Sequence, residues 1–290
     1  MTDFPANPTP PAPGGHTAPA PAGPHRGRGV AIGIGVVGAV IVAGAIGTSA
    51  VAAVASPAGP GAYSTSSAVD GVEEVDIEMN AGTVSVRFDD VREATLDVSS
   101  NGSRAADGWR MHVRDGELVI AQDDGWRGWR WFGFRNDGDV HADIVLPRSL
   151  ESQVDASVTL NAGRATVTGE FGELDLTVNA GELTYDGSSR DLSTTVNAGS
   201  AKVAVNDADA LDLSISAGRL VADVTGTVPG ETSVSVTAGS AEVRIPRGTY
   251  DVERDGAFGD LTVDVDTSDS SPNSLQLSVA AGDLTVGYAR

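Results

Sequence analysis

From about residue 72 onward the chain alternates apolar and polar positions with a period of two, the pattern of strands that bury one face. The alternating runs are broken by a short corner of small residues ending in Ala-Gly. The unit reads IEMNAGTVSV from Ile77, VTLNAGRATV from Val158, LTVNAGELTY from Leu176 and TTVNAGSAKV from Thr194. It returns as LSISAGRLVA from Leu213, VSVTAGSAEV from Val234 and LSVAAGDLTV from Leu277. A degenerate copy, GAFGDLTVDV from Gly256, has Phe258 in place of the corner Ala. The corner glycines are Gly82, Gly163, Gly181, Gly199, Gly218, Gly239, Gly259 and Gly282, and from Gly163 the steps are 18, 18, 19, 21, 20 and 23 residues.

A near-constant period in strand-type sequence predicts an all-β, solenoid-like stack of short parallel strands, one repeat of 18–23 residues per turn. Gly at each corner fits a backbone of positive φ. Matching positions would then stack about 4.7–4.9 Å apart. Two residues past each corner the inward column reads Ala165, Leu183, Ala201, Leu220, Ala241, Leu261, alternating small and large as interlocking layers require. Outward, Asn161, Asn179 and Asn197 would form a side-chain ladder, with Arg164 beside Glu182. DGELVI from Asp115 resembles the second half of a repeat, and Leu146-Pro147-Arg148 and Ile245-Pro246-Arg247 place Pro where a strand stops pairing. Between Val91 and Asp143 the pattern otherwise breaks, and irregular strands and loops are expected. A β-sandwich is the fold alternative, but it predicts neither the step nor the column.

The periodicity changes character near the N-terminus. Residues 30–55 carry no charge and are almost wholly apolar. As a helix they would reach roughly 39 Å, enough to cross a bilayer core of about 30 Å. Arg26 and Arg28 precede the run, and Asp70, Glu73 and Glu74 are the first charges after it. The positive-inside rule therefore puts the N-terminus in the cytoplasm and the repeats outside the cell. The expected organisation is a disordered Pro/Ala/Gly-rich cytoplasmic tail over 1–28, a transmembrane helix in the lipid bilayer over 29–55, a flexible linker over 56–71 and an extracellular β-repeat domain over 72–290. Ala53-Val54-Ala55 also resembles a signal cleavage site, although the apolar run is longer than a signal core.

Charge narrows the partners. The net formal charge is −21, and beyond residue 28 there are 39 acids against 17 bases, with Lys202 the sole lysine. Such a surface repels nucleic acid. The chain has no cysteine, which excludes disulfides, thiol catalysis and Cys-ligated metals.

The V-N-A-G-x-L/A-x-V units at 158–167, 176–185 and 194–203, with the LPR and IPR punctuation, resemble the bacterial "putative adhesin" or toastrack-type family of membrane-anchored β-strand-repeat proteins. The resemblance covers roughly residues 72–290. It implies the fold, an adhesin-like surface role and, through some relatives, cell-envelope stress systems. It carries no catalytic motif.

One stretch stands outside the repeat. WRGWRWFGFR, with Trp126, Arg127, Trp129, Arg130, Trp131, Phe132, Phe134 and Arg135, contains three Arg and no acid. Aromatics interleaved with Arg suit sugar rings, membrane interfaces and anionic polymers, which makes these the candidate partner-binding residues. Equally, such a stretch could cover the open end of a stack. The Asp-rich groups Asp207/Asp209/Asp212 and Asp264/Asp266/Asp269 lack the Gly and distal Glu of an EF-hand and read as solvated turns. His112 and His141 are the only histidines of the outer region, and no nucleophile elbow, zinc-helix motif or phosphate loop occurs. The expectation is a non-enzymatic binding or scaffolding module of the cell surface, without catalytic residues, metal or cofactor, directed at an envelope polymer or protein. The alternative is an accessory of envelope-stress sensing that acts through a partner membrane protein.

Overall fold

The computed structural model describes residues 62–100, 108–122, 140–256 and 259–289. The chain divides into two compact units, Met1–Thr48 and Ser49–Arg290, and every described residue belongs to the second. Among the described residues no helix is long and apolar enough to cross a membrane, and the segment 29–55 lies outside them.

The alternating runs form strands β1 (Ala62–Ser67), β2 (Glu74–Met79), β3 (Thr83–Asp89), β4 (Ala94–Ser100), β5 (Trp109–Arg114), β6 (Glu117–Gln122), β7 (Val140–Pro147) and β8 (Asp155–Leu160). A 43-residue run, β9 (Arg164–Asn206), bends through two corners without losing its pairing. Then come β10 (Ala210–Ile215), β11 (Arg219–Thr225), β12 (Glu231–Val236), β13 (Ser240–Ile245), β14 (Thr249–Gly256), β15 (Asp260–Asp264), β16 (Asp266–Thr267), β17 (Ser274–Val279) and β18 (Asp283–Tyr288). Strand is the only extended secondary structure among the described residues; the one helical element is a 3-10 turn at Arg148–Leu150.

Each repeat is a rung with one arm before the corner and one after it. Through the first arms the pairing runs β5–β6–β2–β8–β9–β10–β12–β17–β14, and through the second arms β1–β4–β7–β3–β9–β11–β13–β18–β15. Within the repeats the pairs are parallel and in register: Val158 faces Leu176, Leu213 faces Val234, and Leu220 faces Ala241. Three pairs at one end, β1–β4, β4–β7 and β5–β6, are antiparallel, so the sheet is mixed.

Several expectations are corrected. Chain order is not height order at either end. Strands β17 and β18 lie between the β12–β13 rung and the β14–β15 rung. The reason is visible in the inward column, where β14 aligns Val252 with Leu275 and Arg254 with Leu277. Arg254 is exposed, whereas Leu275 and Leu277 are buried. An arginine at an inward position is tolerable only where the stack ends. Consequently Leu284, not Leu261, lies on Ala241, and Leu261 packs beyond it. At the other end β6 and β7 flank the first repeat, so Glu117–Gln122 is a first arm rather than the second half of a repeat. Within 91–143 the stretches 94–100, 109–114, 117–122 and 140–143 are regular strand, because their alternation suffices without the Ala-Gly corner, and 101–107 and 123–139, part of the expected irregular region, lie outside the described residues. The stretch expected to be linker, 56–71, contains β1, whose Thr65 and Ser67 are buried against β4.

The two arms enclose the core. Inward positions of both are buried: Leu174, Leu176 and Val178 on one arm, Leu183 and Tyr185 on the other. The side away from the corners is closed by turns and by aromatic packing of Phe171 against Phe88 (5.2 Å) and Tyr185 (6.3 Å). The buried Tyr185 hydroxyl donates to the Ser188 carbonyl (2.8 Å), meeting the requirement that a desolvated phenol find an acceptor. Its burial raises the phenol well above the usual range.

At the corners the repeats approach backbone to backbone. A Cβ on Gly163 would overlap the carbonyl oxygen of Gly82; one on Gly181, that of Gly163; and one on Gly282, that of Gly239. At Gly199 and Gly218 it would come within 2.5 Å of the carbonyl oxygens of Gly181 and Gly199, and Gly239 and Gly259 are similarly pressed by Gly218 and Gly282. Positive φ holds at Gly82 (122°), Gly163 (111°) and Gly181 (125°) but at none of the other five, so space, not dihedral, is the common requirement.

Candidate functional site

The outward surface of the rungs is where chemistry can be presented, because each arm points every second side chain away from the core. Eight residues before the corner glycine, adjoining first arms present Glu74, Asp155, Glu173 and Asp191, then Ala210 and Glu231, with Glu117 outside Glu74. Two residues later the column alternates Asp76, Ser157, Asp175, Ser193, Asp212 and Ser233. A third column is almost purely hydroxyl: Thr159, Thr177, Thr195, Ser214 and Ser235. The fourth is the Asn ladder, in which Asn197 Nδ2 donates to Asn179 Oδ1 (2.8 Å), Asn179 to Asn161 (2.7 Å) and Asn161 to Asn80 (2.7 Å).

Carboxylates one rung apart repel by between about 1 kcal/mol in water and about 4 kcal/mol at the effective dielectric of a protein surface. Among the described residues none of Glu74, Asp155, Glu173, Asp191 and Glu231 is in an ion pair. Burial first, and this crowding second, show in proton affinity. Burial, with Glu117, Glu78 and Glu74 nearby, pushes Asp76 up to about 6. Burial, then Asp175, Asp155 and Asp191, raises Glu173; burial and Glu231 raise Asp212. This face is an in-register array of acceptors and hydroxyls, one set per rung.

The opposite face carries mixed charge. Arg164 donates to Glu182 from Nη2 (2.9 Å) and Nε (3.1 Å), the cross-strand pair that the repeat spacing predicts. Arg244 lies between Asp223 (2.7 Å) and Glu242 (2.5 Å). Next to it is a shallow open cavity of about 350 Å³ bordered by Glu182, Ser200, Lys202, Arg219, Asp223 and Arg244. A second open trough of about 600 Å³, near the β14 end of the first face, is bordered by Ser233, Ser235, Glu253, Asp255, Gln276 and Ser278.

The eight aromatic and Arg residues from Trp126 to Arg135 lie outside the described residues. Their flanks, Gln122 and Val140, meet the Asn80–Gly82 corner: Gln122 Oε1 accepts from the Asn80 (3.0 Å) and Ala81 (2.9 Å) amides. That side chain replaces the carbonyls that a neighbouring corner supplies elsewhere, as Asn161 does for Ala180. His112 and His141 are exposed on different strands, β5 and β7. The Asp207 group does not converge: the Asp207 carboxylate accepts from the Thr227 amide (2.8 Å) and hydroxyl (2.9 Å), which lowers its proton affinity, while Asp212 points from the first face. Among the described residues no group of three or more His, Cys, Asp or Glu side chains is arranged to hold a metal ion. Sequence reasoning missed the carboxylate columns because columns were compared mainly on the inward side; the same alignment, eight and six residues before each glycine, contains them.

No protein-family model matches the chain. No curated protein matches it either. Solved structures similar to it include a "putative cell adhesion protein" of Clostridium sporogenes, 12% identical, covering 79% of this chain and 99% of that one with a TM-score of 0.35. A "putative adhesin" of Parabacteroides merdae is 14% identical over 79% and 97% of the two chains, TM-score 0.42. A "putative lipid binding protein" of Parabacteroides distasonis is 11% identical over 79% and 97%, TM-score 0.45.

Proposed function

We propose that this chain is a membrane-anchored, non-enzymatic binding module of a bacterial envelope, whose rungs form a β-solenoid displayed outside the cell on residues 29–55. The observation that carries the reading is the surface itself. The described rungs are joined by short turns, and the two cavities described above are open and shallow. Enzymes that act on polymers need long loops to build a cleft; a stack of this kind offers area and repetition instead. The uncharged run before the domain and the charges on its two sides support the anchor and its orientation. Trp126, Trp129 and Trp131, with the Arg residues between them, supply stacking and charge-assisted bonding to an envelope partner.

Replacing Trp126, Trp129 and Trp131 by Ala and measuring binding to isolated envelope tests the reading. A folded variant should lose most of the binding; unchanged binding removes these residues from the contact. A pull-down in which the chief captured species is one integral membrane protein would favour the sensing accessory over the adhesin-like module.

A further inference from the structure

We propose that the mixed-charge face holds a phosphate-binding notch, formed by Ser200, Lys202, Arg219 and the edge of Arg244, which takes a phosphate group of an extended anionic polymer. Four outward positions on two adjacent rungs make a square. Arg219 is paired in register with Ser200, and Val221 with Lys202, so the two cations occupy opposite corners. The rungs are about 4.8 Å apart, close enough for both long side chains to reach one ligand. The small Ser200 leaves the space between them, and the cavity of about 350 Å³ lies there.

The charges of Lys202 and Arg219 are uncommitted. Glu182, the acid one rung from Ser200, is held by Arg164, and Asp223 and Glu242 are held by Arg244. Among the described residues neither Lys202 nor Arg219 has an ion-pair or hydrogen-bond partner for its side chain. What sets these two cations apart is that they sit diagonally on adjacent rungs and border one cavity. A planar carboxylate is satisfied by one guanidinium fork; a tetrahedral phosphate presents oxygens on several sides and can take both Arg219 and Lys202, with the Ser200 hydroxyl as a third donor. The carboxylate columns belong to the other face, across a core about 10 Å thick.

The phosphate chemistry stands on this geometry alone; only the polymer that carries it rests on the surface-binding reading. The full chain, held in a phosphorus-free detergent, would be titrated with inorganic phosphate, with soluble poly(glycerol phosphate) and with phosphatidylglycerol vesicles, following the phosphorus resonance or co-sedimentation. Phosphate and the polymer should bind saturably, and Lys202→Ser with Arg219→Ser should weaken both by about tenfold or more. Arg190→Ser, an exposed cation elsewhere, should leave binding within about twofold. Equal binding by the double variant, or equal loss in the Arg190 control, overturns the notch. Binding to vesicles without the soluble probes overturns the polymer assignment. Because the Trp126/Trp129/Trp131 variant retains the notch, loss of its envelope binding with phosphate binding intact separates failure of one proposal from failure of the other.

Discussion

A Cβ on Gly181 has nowhere to go: it would enter the carbonyl of Gly163, and the residue holds φ at 125°. Gly287, two positions from the end of the described chain, has nothing within 4 Å of where its Cβ would stand. Gly181→Ala should therefore cost about 2–4 kcal/mol and Gly287→Ala about 0.5 kcal/mol or less, as read from denaturant midpoints. Asp76 offers a second test at this scale. Its proton affinity is raised in the folded state, so the folded protein binds the proton more tightly than the unfolded chain and stability falls as pH rises from about 4 to about 6. Asp76→Asn should remove part of that slope. After allowing for solvent screening it should add about 1 kcal/mol at pH 7, a rise in Tm of about 2–4 °C, with little gain at pH 4. A lowered Tm at pH 7 would contradict the cost assigned to this buried, crowded carboxylate. Single residues were unevenly readable from sequence. The corner glycines, the Asn ladder and the Arg164–Glu182 pair follow from spacing, because a repeat length converts directly into a neighbour. The dihedral requirement was read too widely, since a close approach and a positive φ select the same residue.

At the scale of the element, the rung is the unit, and its length matters more than its sequence. Removing residues 182–199 joins Gly181 to Ser200 and restores a full corner followed by a second arm, SAKVAV, in the same inward-outward phase. That variant should fold with one rung fewer, a strand-type circular dichroism spectrum and one cooperative transition, because each rung is stabilised by its immediate neighbours. Removing 183–199 instead, 17 residues, shifts the phase by one: Ser200 and Lys202 take the buried places of Leu183 and Tyr185, Ala201 and Val203 turn outward, and no cooperative transition should result. Strands were the most readable feature of the chain, through their period of two. What could not be read was the order of the end rungs, which is marked by Arg254 in an inward column and by Gln122, whose side chain takes the place of a corner carbonyl. Repeat spacing says which strands are alike; it does not say which two become neighbours when a terminal rung is a poor fit to the core.

Across the whole domain, the stack separates charge. One face carries the carboxylate and hydroxyl columns, and the other carries Arg164, Lys202, Arg219 and Arg244 among their acids. Net charge alone, at −21, suggests a uniformly repulsive surface; the arrangement of the repeats in space is what gives the protein two chemically different sides. The surface-binding reading and the phosphate notch both depend on rungs piled in register. Cysteine pairs test this directly, because the chain has no cysteine of its own. Disulfides form when Cα atoms are about 4.4–6.8 Å apart and fail beyond about 7 Å. Thr159→Cys with Thr177→Cys, and Ser235→Cys with Ser278→Cys, place the thiols on facing residues of adjacent rungs and should cross-link on mild oxidation. Ser235→Cys with Asp255→Cys places them two rungs apart, because Ser278 lies between, and should remain reduced. A cross-link in the last pair and none in the first two would contradict the stack.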